Sequence, residues 1–444
     1  MGALTRRTFL RGMAALPLMA AFPGSLSGRP KIPKDVRTLA REGGSRIHGR
    51  RLVAIIPDST RSGGKFVGEA LRGLYEAKSG QVDRIVALVA LGTHPPMSAS
   101  DILKYLEISP AEHKAQMPGL TFCNHEWWKP SSFIEAGRIS AKEWGILSGE
   151  VMDLARFGRA DGISVRFNRT AAEADDIVII GPVLPHEVVG CSGGLKYCSP
   201  GIGDSELTGY THWLGAALTI PNVIGRIDTP VRRVINHCVG LMTKPRKHLL
   251  AFVVSGESLH GAYLGEPEDT YLQAAKLTLK LNIRYTGRQY ERVLAVLSPR
   301  YKEMWTGGKG SYKLIQIVKP GGMLVIYAPN LTTVSKTWGA DIERLGYHCL
   351  EYVQSHLDEY IAAGLNPCVL AHLTHVYGPG TYSDGHESPS CVHLATGLDR
   401  KMCEKLNLRY IDPASIDVNS WRKDPEAYVE DDAGQRLVLP NAAE

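Results

Sequence analysis

Short apolar runs alternate with amphipathic stretches along the first part of the chain. The runs at residues 52–56, 84–91, 176–180 and 249–255 read as buried strands, and each of them ends directly before Gly or Pro. Stretches with helical periodicity lie between them, including residues 66–77. This order predicts an α/β fold with mostly parallel sheets and flanking helices. In such sheets ligands bind beyond the carboxyl ends of the strands.

A second set of elements follows a predicted helix at residues 267–281. Strands are predicted at 292–297, 323–328 and 369–373, with a turn at 319–322 before the second of them. A hinge near residues 282–290 would separate an N-terminal α/β domain, 29–285, from a C-terminal α/β domain, 286–412. The active site would lie in the cleft between them. Residues 413–444 form a polar tail that could return to the first domain.

The N-terminus has the pattern of an export signal. Thr5-Arg6-Arg7-Thr8-Phe9-Leu10-Arg11 precedes an apolar run at 12–22 and then a stretch of small residues. The paired arginines fit the twin-arginine type, and the run is shorter than the about 20 residues that a membrane span needs. The sequence therefore predicts a signal peptide at 1–28, periplasmic localisation and no stable membrane span after its removal. An amphipathic N-terminal helix or an uncleaved anchor is the alternative.

Composition and motifs exclude several other classes. The chain has 444 residues, 44% hydrophobic, and its formal charge of +6 is spread rather than concentrated, so nucleic acid is not predicted as a partner. Neither GxGxxG after a strand nor GxxxxGK[ST] occurs, so there is no NAD or ATP fingerprint. The eight cysteines form no CxxC pair. One disulfide, such as Cys368 with Cys391, stays open.

The densest cluster of chemistry lies at residues 184–201. Ser192-Gly193-Gly194-Leu195-Lys196 combines a backbone that can approach a ligand closely with one lysine. That lysine could hold a phosphate, or act as an amine nucleophile if it is desolvated. A surface turn with a solvated lysine is the alternative.

Histidines and an arginine accompany this cluster. His186 and His212 frame Lys196, and imidazole suits both metal binding and acid–base work. Asp58-Ser59-Thr60-Arg61 and Gly92-Thr93-His94-Pro95 each follow a predicted strand, where a parallel sheet places its site. An arginine there can hold a carboxylate through two hydrogen bonds. The alternative for residues 58–61 is a helix N-cap with a surface ion pair.

Together these motifs resemble the nickel-pincer-nucleotide lactate racemases. Asp58-Ser59-Thr60-Arg61 resembles the family's DxTR motif, and Gly92-Thr93-His94-Pro95 its histidine loop. Pro185-His186, Ser192-Gly193-Gly194-Leu195-Lys196 and His212 resemble its cofactor-attachment region, with Asn124-His125-Glu126 as a weaker feature. The resemblance covers residues 45–330 most clearly.

The resemblance implies a cofactor and roles for single residues. The cofactor is a pyridinium-3-thioamide-5-thiocarboxylic acid mononucleotide that binds nickel through two sulfurs and a ring carbon. Its attachment would be Lys196, and the remaining nickel ligand His212. His94 and His186 would be the acid–base pair, and Arg61 would hold the substrate carboxylate. The nucleotide would contact Asp58, Thr60, Ser192, Gly193 and Gly194.

The implied reaction inverts a 2-hydroxy acid, as a racemase or epimerase. The α-hydrogen is poorly acidic because its carbanion would adjoin a carboxylate, and its departure as hydride avoids that carbanion. Two histidines on opposite faces suit inversion, since each can move a proton near neutral pH. The implied partners are cofactor-building enzymes and the twin-arginine export machinery.

The sequence departs from the family in its second half. By distance to the Gly-Gly turn, Lys309 matches the family's substrate lysine, and Thr306 stands where a glutamine is expected. This departure favours an acid larger than lactate or one with more hydroxyl groups. Trp338 is expected to pack in the core rather than on substrate. His372 and His375, on a predicted strand, would not share a face for a second metal, but they could line the cleft.

Other readings stay open on sequence alone. A zinc-dependent hydrolase or lyase could use His94, His186 and His212 as ligands, although HExxH is absent. An exported binding protein could capture a hydroxy acid or a metal without catalysis, although it would not need two acid–base histidines. A reductase or dehydrogenase that uses the same cofactor is a further variant.

Overall fold

A six-stranded sheet forms the first half of the structure, a computed structural model that describes residues 35–441. The signal predicted at 1–28 lies outside the described residues. The strand order is β10–β9–β6–β1–β2–β3, and every neighbouring pair is parallel except β9 with β10. Its strands are β1 (Arg51–Pro57), β2 (Arg84–Ala90), β3 (Leu120–Asn124), β6 (Asp176–Pro182), β9 (Arg246–Ser255) and β10 (Ser258–Gly265). Two antiparallel pairs join them, β4 (Phe133–Ile139) with β5 (Ile163–Asn168) and β7 (Pro185–His186) with β8 (Gly190–Cys191).

Continuous apolar runs form the central strands because helices cover both faces of the sheet. All seven residues of β6 are buried, as are six of seven in both β1 and β2. The four strands predicted in this half are confirmed, with ends that differ by at most three residues. The helices are α1 (Val36–Gly44), α2 (Gly64–Lys78), α3 (Ala99–Leu106), α4 (Pro110–Gln116), α5 (Ala141–Ser148), α6 (Arg169–Ala172), α7 (Ser205–Leu218), α8 (Ile220–Val223), α9 (Pro230–Gly240) and α10 (Pro267–Asn282).

A five-stranded sheet, entirely parallel, forms the second half. Its order is β17–β16–β13–β12–β18. The strands are β12 (Tyr290–Val296), β13 (Val318–Ala328), β16 (Val392–Thr396), β17 (Arg409–Tyr410) and β18 (Ala427–Glu430). Two small pairs are β11 (Ile283–Tyr285) with β19 (Leu437–Leu439), and β14 (Tyr382–Ser383) with β15 (His386–Glu387). The helices are α11 (Met304–Gly307), α12 (Lys309–Tyr312), α13 (Gly339–Leu345), α14 (Leu350–Ser355), α15 (Leu357–Ala362), α16 (Pro367–Tyr377), α17 (Arg400–Lys405) and α18 (Val418–Lys423).

The prediction of a strand at 369–373 is wrong, because these residues belong to helix α16. Asn366 caps the helix by accepting a hydrogen bond from the Cys368 N–H at 3.0 Å, and Pro367 is its first residue. Every residue from Cys368 to Tyr377 is buried, so the run has no amphipathic period to identify it as a helix. The turn predicted before residue 323 lies inside β13, where Gly321 has φ +79°. Strand β16, which lies beside the central strand β13, was not predicted.

The described residues form one compact unit, and its division into two domains near residue 285 stays a prediction. The C-terminal segment contributes β18 to the smaller sheet, and Gln435 accepts a hydrogen bond from the Ser62 hydroxyl at 3.1 Å. All eight cysteines are unpaired, so the disulfide considered between Cys368 and Cys391 is not formed. Across residues 35–441, no helix combines the length and apolar character needed to span a membrane.

Candidate functional site

A cavity of about 850 Å³, counted with its opening to solvent, lies between the two halves. The residues that follow β1, β2 and β6 line one wall. Helices α11, α12 and α16 of the smaller half line the other. The predicted site residues that it brings together are Asp58, Arg61, His94, His186, Lys196, His212 and Lys309. The sheet therefore places its site at the carboxyl ends of its strands, as expected.

A buried carboxylate orients the first cavity histidine. Asp58 Oδ2 lies 2.7 Å from His94 Nδ1, and Thr60 donates its backbone N–H and its hydroxyl to Asp58 Oδ1. Burial opposes ionisation of Asp58, but His94, Arg61 and the Thr60 hydroxyl outweigh it and hold the carboxyl pKa well below its usual value. An ionised carboxylate only accepts, so His94 Nδ1 carries the proton. The other ring nitrogen, Nε2, is then free to take a proton.

His186 carries its proton on the other ring nitrogen from that in His94. The Val188 N–H donates to His186 Nδ1 at 3.1 Å, so the neutral ring carries its proton on Nε2. Burial, together with the positive charges of Lys196 and Arg61, lowers the pKa of His186 far below its usual value. In this state His186 is a neutral hydrogen-bond donor.

His212, on helix α7, has an unprotonated Nε2. Its Nδ1 donates to the Thr208 carbonyl one turn earlier at 2.7 Å. Burial, and next the charge of Lys196, lower the pKa of His212 to about 3. A backbone hydrogen bond that fixes Nδ1 is the usual support of a histidine that binds a metal through Nε2. The residue therefore fits the predicted ligand role.

Lys196 lies on the short turn Gly194–Tyr197 at the edge of the cavity. Burial, and next the charge of Arg61, lower its pKa to about 7, whereas Glu187 acts in the opposite direction. Near neutral pH a large fraction of this amine is therefore unprotonated. An unprotonated amine is the form that can make a covalent bond.

The glycines before Lys196 do not line the cavity. A Cβ on Gly193, at φ +81°, would lie 2.7 Å from the Val183 side chain. Ser192 is equally remote, and its hydroxyl accepts a hydrogen bond from the Leu184 N–H at 3.1 Å. Arg232 donates to the Gly193 carbonyl at 3.1 Å. Gly193, Gly194 and Ser192 shape the turn that presents Lys196, and Thr60 lies beside an adjoining smaller cavity.

Two cations in the cavity lack a hydrogen-bond partner in the described chain, although Lys309 Nζ lies 5.6 Å from the centroid of the Tyr301 ring. The Arg61 guanidinium makes no hydrogen bond or ion pair with any residue in the described range. Lys309 is 6% exposed, and its Nζ has no hydrogen-bond partner there. Burial, and next the charge of Arg61, lower the Lys309 pKa to about 7. An unpartnered guanidinium and amine in one cavity suit a bound carboxylate.

Helix α16 contributes two histidines that the sequence placed on a strand. His372 and His375 are three residues apart, so a helix puts them on one face, and both line the cavity. His372 Nε2 lies 3.2 Å from the Trp305 carbonyl, and its ring stacks on the Trp305 indole at 4.4 Å. Burial lowers the pKa of His372 to about 3 and that of His375 to about 4.

The sequence gave no substrate role to Glu187, which lines the cavity, or to Lys313, which lines the adjoining smaller cavity with it. Glu187 is 7% exposed, and Lys313 Nζ donates to the Pro185 carbonyl. Burial raises the pKa of Glu187, but Lys313 and Lys309 more than reverse this, and the carboxylate is ionised. Lys313 lies one helical turn after Lys309, a spacing that could have identified it.

Three further residues considered in the sequence analysis make contacts within the protein: Thr306, Trp338 and His125. Thr306 lines the cavity, and its hydroxyl donates to the Glu303 carbonyl at 3.3 Å. Trp338 packs between Trp127, at 5.9 Å between ring centroids, and Trp305, at 6.3 Å. His125 lies outside the cavity, and its Nε2 is 2.9 Å from the Gly203 carbonyl.

Within residues 35–441, no group of three or more His, Cys, Asp or Glu side chains is arranged to hold a metal ion. His94, His186 and His212, the ligands of the zinc alternative, are therefore not such a group.

Comparisons with known proteins found one family model and several solved structures that the chain resembles. The lactate racemase N-terminal domain family matches residues 147–219, which include His186, Lys196 and His212. No curated protein sequence matches the chain. A crystal structure of a Thermotoga maritima protein, from a structural genomics consortium, is 28% identical with a TM-score of 0.81. The match covers 92% of this chain and 99% of the Thermotoga maritima chain.

A second solved structure is that of the lactate racemase apoprotein from Thermoanaerobacterium thermosaccharolyticum. It has a TM-score of 0.61 and 14% identity, and the match covers 92% of this chain and 90% of that one. At this identity the likeness is one of fold. The chain therefore has the lactate racemase fold, and its residues 147–219 match the lactate racemase N-terminal domain family.

Proposed function

We propose that this chain, with its lactate racemase fold, is a racemase or epimerase that inverts the 2-carbon of a 2-hydroxy acid. One observation carries the proposal: His94 and His186 share a cavity in opposite protonation arrangements. His94 has a free Nε2 backed by Asp58, whereas His186 has an Nε2–H fixed by the Val188 N–H. One ring is thus ready to accept a proton, and the other to donate a hydrogen bond.

Arg61 and Lys309 would bind the substrate carboxylate. The guanidinium supplies a planar pair of donors, and the buried amine becomes a stronger donor when a carboxylate raises its pKa. Because neither cation has a hydrogen-bond partner in the described chain, a carboxylate would satisfy both, including the Lys309 amine that is otherwise buried and unpaired.

His94 would act as the general base. Its Nε2 takes the proton from the substrate hydroxyl, and the ionised Asp58 stabilises the imidazolium that results. His186 would donate its Nε2–H to the oxygen of the planar keto acid. To release that proton it would first have to gain a second one from water on Nδ1, which displaces the hydrogen bond from the Val188 N–H. Loss of the neighbouring charge on Lys196 favours this, because that charge is one cause of its low pKa.

Lys196 and His212 fit the nickel-pincer nucleotide. The partly unprotonated amine of Lys196 suits a thioamide bond, and the unprotonated Nε2 of His212 suits one metal coordination position. When bound, the nickel nucleotide would supply a hydride acceptor close to the 2-carbon. The walls of the cavity, including the stacked Trp305 and His372, would limit the access of water.

Intact-protein mass and nickel analysis test the cofactor. The protein should be made with the cofactor-building enzymes, beside Lys196→Arg and, as a control, Lys247→Arg. We expect a nucleotide-sized adduct and about one nickel per chain in the wild type and in the control, and neither in Lys196→Arg. An unmodified wild type, from a preparation that loads a known family member, would contradict the cofactor.

Racemisation in D₂O tests the reaction. A single enantiomer of a 2-hydroxy acid should lose its chirality and keep protium on its 2-carbon, since hydride does not exchange with solvent. Deuterium at that carbon would indicate proton abstraction instead.

Export is a separate part of the proposal and rests on Arg6 and Arg7. We expect the protein in the periplasmic fraction of its host, and the Arg6→Lys/Arg7→Lys double variant in the cytoplasm. Equal periplasmic amounts of the two proteins would contradict the twin-arginine route.

A further inference from the structure

Glu187 has no role in the proposed proton transfers, yet it is buried within the cavity. It follows His186 directly, and its Oε2 lies 3.5 Å from His186 Nδ1. It lines both the main cavity and the adjoining smaller one. The charges of Lys313 and Lys309 keep it ionised despite burial. An ionised carboxylate only accepts hydrogen bonds.

His372 presents a second acceptor on the opposite wall. Its Nε2 donates to the Trp305 carbonyl, so in the neutral ring Nδ1 bears a lone pair. This Nδ1 is buried without a hydrogen-bond partner in the described chain, and so is Nε2 of His375. The stack on Trp305 restricts rotation of the His372 ring. Buried polar atoms are nearly always paired, so an unpaired acceptor beside a cavity points to a ligand with a donor.

We infer that Glu187 and His372 form a wall of acceptors that takes the hydrogen bond of a hydroxyl group on the carbon next to the reacting centre and, in a longer acid, that of the hydroxyl beyond it, which makes the substrate a 2,3-dihydroxy or longer polyhydroxy monocarboxylic acid. The inference rests on the proposed function, since it names the substrate class of the same cavity. A hydroxyl is the group that an acceptor-only wall binds. A methyl group leaves both acceptors unpaired, and a second carboxylate is repelled by Glu187.

Thr306 agrees with this assignment. It lines the same cavity with a short side chain, and its hydroxyl donates to the Glu303 carbonyl. It therefore leaves room for a longer substrate without supplying a donor that would neutralise the acceptors.

Three acids that differ only in the group on the third carbon test the inference. Lactate carries hydrogen there, glycerate a hydroxyl and malate a carboxylate. The cofactor-loaded protein is assayed with each acid for loss of chirality and, by calorimetry, for Kd. Glu187→Gln removes the charge at constant size, and Glu257→Gln, at an exposed carboxylate, is the matched control. Circular dichroism confirms that the variants fold.

We expect glycerate to exceed lactate at least tenfold in affinity, with malate weakest. Glu187→Gln should reduce the glycerate preference about tenfold and improve malate binding, whereas Glu257→Gln should match the wild type. Lactate bound as well as glycerate, or a preference unchanged in Glu187→Gln, would overturn the inference whether or not turnover occurs. Selective binding of glycerate without turnover would support the inference and overturn the proposed reaction.

Discussion

His94 Nδ1 and Asp58 Oδ2 lie 2.7 Å apart in the wall of the cavity, and this contact joins residues that follow two adjacent strands. The carboxylate is 6% exposed and accepts two further hydrogen bonds from Thr60, so it cannot turn away from the ring without losing them. Asp58 therefore fixes which nitrogen of His94 is free, and it stabilises the ring when it becomes positive.

Replacement of Asp58 by Asn should impair turnover more than binding. An amide cannot stabilise an imidazolium, and its NH₂ group favours the wrong protonated nitrogen on His94. We expect kcat to fall about 100- to 1000-fold while KM changes little. Steady-state racemisation by the cofactor-loaded variant measures this. Asp83→Asn, at an exposed carboxylate paired with Arg50, serves as the control. An unchanged kcat would remove His94 from the role of base.

Lys309 and Lys313 are both buried, but only Lys313 has a hydrogen-bond partner. Their replacements should therefore change the stability of the protein in opposite directions. Lys309→Met removes an unpartnered buried amine and should raise the free energy of unfolding of the apoprotein by about 1–3 kcal/mol. The same change should lower kcat/KM about 100-fold or more through loss of carboxylate binding. Lys313→Met breaks the bond to the Pro185 carbonyl and should destabilise the apoprotein. Denaturant titration compares the two, and equal destabilisation would contradict the assignment.

Buried neutral histidines should make the apoprotein acid-sensitive. Burial lowers the pKa of His212 and His372 to about 3 and of His125 and His375 to about 4, from 6.5. Below pH 6.5 the unfolded chain binds protons that the folded chain does not. The stability is therefore complete above pH 6.5 and falls as the pH drops toward 4.

Between pH 7 and pH 5 this loss should reach about 2 kcal/mol per histidine. Denaturant titrations at the two pH values measure it. His375→Gln should reduce the loss by about that amount, whereas replacement of the exposed His260 should not. A free energy of unfolding independent of pH over this range would mean that these rings are protonated in the folded state.

Much of the first half of the site could be predicted because parallel strands end at one edge. The apolar runs at 52–56 and 84–91 mark β1 and β2, so Asp58 and His94 had to lie close together. The family motifs then added His186, Lys196 and His212, which the cavity does bring together. The protonated nitrogen of each ring could not be predicted, because it depends on the Val188 N–H and the Thr208 carbonyl.

The cavity wall formed by helix α16 was not predicted, for a different reason. Residues 368–377 are all buried, and such a run does not distinguish a helix from a strand by periodicity. The Asn366-Pro367 pair was the available signal for a helix start. Without the helix, His372 and His375 could not be assigned to one face. Glu187 and Lys313 line the same small cavity because the two halves pack against each other, and no local sequence pattern encodes that packing.

The turn before Lys196 should tolerate no side chain at Gly193. A Cβ there would lie 2.7 Å from the Val183 side chain and 2.9 Å from the Pro182 carbonyl, in addition to the strain of φ +81°. Gly364, at φ +71° with open space around it, is the matched control, since Gly364→Ala introduces the strain without the collision. We expect Gly364→Ala to lower the free energy of unfolding by about 1 kcal/mol and Gly193→Ala by about 3 kcal/mol or more. In any folded Gly193→Ala protein, displacement of the turn should also reduce nucleotide attachment at Lys196, read by intact mass. Equal destabilisation of the two variants would show that the turn has room to shift, and that Gly193 matters only for its backbone conformation.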